Sequence, residues 1–205
     1  MTDEILPDDF DVTAMDIDND GAFDTYGIDS NGDGVIDMIA MDTNGDGALD
    51  EMMADTNFDG EFDSVGIDTD SDGQLDVFGF DTDHNGRLDA VAVDSNSDSR
   101  VDLLAADFNE DGQVDVFGAD TNSDGRMDFA AADTNFDGRM DAAMGDTNRD
   151  GVFDTAVADI DHDGTIDVAA ADFNGDGRID AAALASRGQK TDVFDFDGKA
   201  DGMIV

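Results

Sequence analysis

From Asp16 to Leu184 the chain is one thirteen-residue unit repeated thirteen times without insertion or deletion. A unit this short cannot bury an apolar face of its own, so neighbouring units must pack on one another to make a core. Position 1 is always Asp: Asp16, Asp29, Asp42, Asp55, Asp68, Asp81, Asp94, Asp107, Asp120, Asp133, Asp146, Asp159 and Asp172. Position 3 is Asp18, Asn31, Asn44, Asn57, Asp70, Asp83, Asn96, Asn109, Asn122, Asn135, Asn148, Asp161 and Asn174. Position 5 is Asp20, Asp33, Asp46, Asp59, Asp72, Asn85, Asp98, Asp111, Asp124, Asp137, Asp150, Asp163 and Asp176. Position 6 is Gly except at Ser99. Position 9 is again always Asp: Asp24, Asp37, Asp50, Asp63, Asp76, Asp89, Asp102, Asp115, Asp128, Asp141, Asp154, Asp167 and Asp180.

Position 8 is always apolar, positions 11 and 13 nearly always, and position 12 is mostly Gly or Ala. Alternation of period two over the last four residues predicts a short strand in each unit. Only four residues separate Asp at position 9 from the next Asp at position 1, which leaves no room for flanking helices.

Acidic residues number 54 against 9 Lys and Arg, for a formal net charge of −45. Such a chain lacks the basic patches that nucleic acid and anionic membranes require. It has no Cys and two His, which excludes thiolate and imidazole-rich metal centres. No apolar run is long enough to cross a bilayer, so membrane insertion is not expected, and residues 1–8 lack the basic and apolar regions of a Sec leader.

Carboxylate and amide oxygens at positions 1, 3, 5 and 9, with the backbone carbonyl at position 7, place five or six oxygens around one point. Those carbonyls belong to Ala22, Val35, Ala48, Glu61, Gln74, Arg87, Arg100, Gln113, Arg126, Arg139, Val152, Thr165 and Arg178. Gly at position 6 supplies the positive φ such a loop needs. A flexible, all-oxygen cage suits Ca²⁺ better than Mg²⁺ or softer metals, and lanthanides favour similar cages. The ligand positions hold 42 of the 54 acids, and thirteen divalent ions would bring the formal charge to −19. The expected cofactor is therefore Ca²⁺, about one per unit.

The run Asp172-Phe173-Asn174-Gly175-Asp176-Gly177-Arg178-Ile179-Asp180 resembles the DxDxDGxxD calcium loops of thrombospondin type 3 repeats, integrin-like propeller blades and EF-hands. That resemblance implies ligation by Asp172, Asn174, Asp176 and Asp180, the last bidentate, with the Arg178 carbonyl. The chain departs from those families in lacking Glu at position 12 and any Cys, and in its thirteen-residue spacing.

These features predict an all-β parallel solenoid, similar to β-roll proteins, with positions 8, 11 and 13 in its core. Residues 1–15 read as an N-terminal cap, 16–184 as the calcium-binding repeats and 185–205 as a linker with a C-terminal cap. Since metal binding to assembled carboxylates is folding free energy, the chain should fold on Ca²⁺. The expected function is non-enzymatic: a structural or adhesive module of an extracellular or cell-surface protein, with self-association or an unidentified surface ligand, the cytoplasm remaining open. High-capacity calcium storage is the alternative. An ice-binding solenoid is a second alternative, on the Thr residues at position 2: Thr43, Thr56, Thr69, Thr82, Thr121, Thr134 and Thr147. His84 and His162 at position 4 are expected to face water, and Arg at position 7 to screen the acidic surface. Ser99 is expected to give the weakest loop.

Overall fold

The computed structural model describes residues 11–17, 19–184 and 192–195, the last four by their backbone alone. Asp18 among the expected ligands, and most of both expected caps, lie outside those residues. The chain divides into two compact units, Met1–Ser99 and Arg100–Val205. Both are built from short strands, and no helix occurs among the described residues.

Strands occupy positions 10 to 13, from Thr25–Asp29 and Met38–Met41 in the first unit to Val168–Ala171 and Ala181–Leu184 in the second. Asp11–Met15 precedes the series and Asp192–Asp195 ends it. Within each unit every strand pairs antiparallel with the next in sequence, as in Tyr26 opposite Ala40 and Ala143 opposite Val157.

The parallel solenoid is thus corrected to an antiparallel arrangement. The nine-residue loop reverses the chain, because positions 4 and 6 both take positive φ in every unit, as at Phe58 (61°) and Gly60 (94°). A reversed strand hydrogen-bonds the one it has just left.

Antiparallel register sets position 11 of one repeat opposite position 12 of the next, on the same face of the sheet. A large residue at 11 therefore needs a small one at 12. Position 8 adds to the crowding: a Cβ on Gly79 would lie 2.8 Å from Leu88 Cδ1 and 2.9 Å from Val65 Cγ1.

Positions 8 and 11 supply no buried apolar side chain among the described residues, and position 13 does so only at Ala106 and Ala119, a second correction. Phe23, Leu49, Leu88 and Ile179 at position 8 remain exposed. Among the described residues the buried apolar side chains are alanines: Ala40, Ala92, Ala106, Ala119 and Ala131. Twenty aspartates are buried beside them, every one at position 1 or 9. Carboxylates have taken the place that apolar side chains hold in an ordinary domain.

Candidate cation-binding loops

Each loop is closed by its own acids. The N–H of position 6 donates to Oδ2 of the Asp at position 1 in all thirteen repeats, as from Gly60 to Asp55 at 2.7 Å and from Ser99 to Asp94 at 2.6 Å. The N–H of position 2 donates to Oδ2 of position 9, as from Thr82 to Asp89 at 3.1 Å. Position 3 accepts from the N–H of position 5 and position 5 from that of position 7, as in Asp33 to Asn31 and Val35 to Asp33, both at 2.8 Å. Position 1 accepts at both oxygens in several loops, as Asp29 does from the N–H of Gly32 and of Gly34, while in other acids one oxygen is left inside the loop.

Several of these inward oxygens have no protein partner. Oδ1 of Asp16, Asp89, Asp107 and Asp115 is buried without a hydrogen bond. Asp107 and Asp115 are positions 1 and 9 of one loop, and Asp115 is 1% exposed. A desolvated, unpartnered carboxylate oxygen is costly unless a cation meets it.

Four triads bring one oxygen from each member within 4.8 Å of the others: Asp29, Asp33 and Asp37; Asp68, Asp70 and Asp76; Asp81, Asp83 and Asp89; Asp159, Asp161 and Asp167. The last three use the Asp at position 3. Convergent, hydrogen-bonded oxygens of this kind fit a metal ion, and the donor set is that of a hard cation.

Hydrogen bonding holds several carboxyls below their usual range. At Asp37 and Asp50 the leading cause is the hydroxyl of Ser30 and of Thr43, and at Asp76 the backbone N–H of Thr69. At Asp120 and Asp172 burial pushes the other way and is outweighed by backbone N–H donors led by Gly125 and Gly177.

All seven threonines at position 2 donate their hydroxyl to the Asp at position 9. They are loop staples. Both histidines are exposed as expected, and each also reaches a neighbouring loop. His84 Nδ1 lies 3.0 Å from Asn57 Nδ2 and 3.8 Å from Asp63 Oδ2, while His162 Nδ1 lies 3.0 Å from Asp141 Oδ1. His162 is raised by Asp141, and Asp141 is lowered by His162. Arg100 and Arg126 donate to the carbonyls of Asp124 and Asp150. Ser99 takes φ 66° and donates its hydroxyl to Gln74 Oε1 at 2.8 Å, so its loop closes like the others.

Position 4 was missed in the sequence. It is left-handed in all thirteen repeats although only Gly32, Gly45 and Gly175 are glycines there. Asn19, His84 and His162 among the rest, with the three glycines, were the available signal.

No protein-family model, curated protein or solved structure matches the chain. Among the described residues no helix is long and apolar enough to cross a membrane.

Proposed function

We propose that this is a calcium-binding structural protein whose loops take up about one Ca²⁺ per repeat and whose fold depends on that uptake. The observation that carries the proposal is the Asp107–Asp115 loop, in which Asp115 is fully buried, Asp107 half-buried, and the Oδ1 atom of each is buried without a partner. Its ligands would be Asp107, Asn109, Asp111, Asp115 and the carbonyl of Gln113, and the same positions would serve in the other repeats. The chain acts as a stiff, non-enzymatic structural or adhesive element where calcium is plentiful, as outside cells or at their surface. The threonine hydroxyls, committed to carboxylates within the loops, count against an ice-binding face.

Circular dichroism and calorimetry of the metal-stripped chain test the proposal. Stripped protein is expected to lose its β signal and to regain it on adding calcium, with a stoichiometry near one ion per repeat. Identical folded spectra in EDTA and in calcium refute it. Dissociation constants near millimolar fit a constitutively loaded element, and micromolar or tighter values would favour storage.

A further inference from the structure

Antiparallel pairing sorts the loops of each unit into two rows. A loop and its successor lie at opposite ends of the strand between them, about 13 Å apart for four extended residues. The loop two repeats on returns to the same end, displaced by two strand spacings, about 10 Å.

Hydrogen bonds follow this geometry. In the second unit the N–H of Asp120, Asp133 and Asp159, each at position 1, donates to the carbonyl of Asp102, Asp115 and Asp141 respectively, each at position 9 of the loop two repeats earlier, at 2.7 Å. Asp146 and Asp172 do the same to Asp128 and Asp154 at 2.8 Å. The ends of these bonds are the residues proposed as ligands of successive sites. Side chains tie the same pairs together. Arg126 Nη1 donates to the Asp150 carbonyl at 2.9 Å, His162 reaches Asp141, and Gln113 lies across Gly138.

Resting on the calcium reading above, we propose that ion binding is positively coupled along each row, between sites 26 residues apart, and independent between consecutive repeats. An ion held by Asp115, whose buried Oδ1 is unpartnered, fixes the peptide that anchors Asp133. It also neutralises carboxylates that the next loop in the row faces at about 10 Å. Across the sheet no such ligand-to-ligand bond is seen among the described residues.

The position-6 glycine amides report each site separately, because each donates to its own position-1 carboxylate. In the full chain carrying Asp133→Asn, a calcium titration followed by ¹H–¹⁵N NMR is expected to move the midpoints of Gly112 and Gly164, in the same row, at least about fivefold higher, while Gly125 and Gly151 stay within about twofold. Equal movement in both rows, or movement at Gly138 alone, overturns the coupling. Absence of any glycine response in the unsubstituted chain overturns the calcium reading instead. Should Asp133→Asn fail to fold, Arg126→Ala serves: the Gly125 and Gly151 transitions should become less steep, those of Gly112, Gly138 and Gly164 unchanged. The proposal falls if both rows respond alike.

Discussion

The hydroxyl of Thr69 and its own backbone N–H donate to the same oxygen of Asp76, at 2.8 and 2.9 Å. This pair aims the carboxylate before any ion arrives, and the Ser97 hydroxyl reaches its other oxygen, Oδ1, at 3.5 Å. Removing the hydroxyl at nearly constant shape, as in Thr69→Val, should weaken calcium binding at the Asp68–Asp76 loop by about three- to tenfold. NMR of the Gly73 amide during a calcium titration reads that site alone, and an unchanged midpoint would show that the hydroxyl adds nothing to the backbone bond.

Acid should unfold the protein from below the ordinary carboxylate range. Asp76, Asp120 and Asp172 titrate below the usual 3.8 when folded. Their contribution is present above that value and is lost as the pH falls through the lower folded one. Protons also compete with calcium for the same oxygens, so more calcium should push the acid midpoint lower still. Thr69→Val should move it upward. Circular dichroism against pH at two calcium concentrations measures both shifts.

His162 and Asp141 give the opposite limb. Asp141 is depressed and His162 raised, so their attraction is complete between the usual values of 3.8 and 6.5 and fades as pH rises through the raised value of His162. The thermal midpoint of His162→Gln should fall below that of the unsubstituted chain near pH 5.5 and converge with it near pH 9. A pH-independent difference would mean that His162 acts by packing alone.

The loops were legible in the sequence because each acid does a local job in closing its own loop. Asp at 1, 5 and 9 and Gly at 6 are required wherever a nine-residue loop wraps one point, and the strand at positions 10 to 13 followed from alternation. Strand direction was not legible by the same logic, since period two is common to parallel and antiparallel strands. The signal that was overlooked lies in position 12. Parallel stacking would set 12 upon 12 and leave gaps between glycines, whereas the observed pairing of Val65 with Gly79 and of Gly79 with Val91 sets large against small. Equally hidden was the use of position 4, where Phe58, Phe136 and Arg149 share a backbone conformation that none of them favours.

That size rule has a measurable edge. Gly79→Ala would drive a methyl to 2.8 Å from Leu88 Cδ1 and 2.9 Å from Val65 Cγ1, and should cost about 1–3 kcal/mol of stability. Gly118→Ala meets nothing nearer than Met127 Sδ at 3.5 Å and should be neutral or stabilising by up to about 1 kcal/mol. In saturating calcium the thermal midpoint of Gly79→Ala should therefore fall below that of the unsubstituted chain, and that of Gly118→Ala should equal or exceed it. Equal losses would show that the glycine serves the backbone and not the neighbouring side chains.

Phe136 shows how far loop closure can carry a locally unfavourable choice. Its φ of 60° is left-handed, its ring is half exposed, and its N–H donates to Asp133 Oδ1 at 2.8 Å, so the loop uses its backbone. Holding a non-glycine residue there costs about 1–2 kcal/mol, least for Asn. Phe136→Asn should recover about 1 kcal/mol while keeping the N–H, and it avoids the extra unfolded-state entropy that glycine would bring. Phe136→Val, β-branched and poorly suited to positive φ, should lose stability. Thermal midpoints in calcium should rank Asn above Phe above Val. A ranking with Phe highest would mean that the ring itself contributes more than its backbone strain removes.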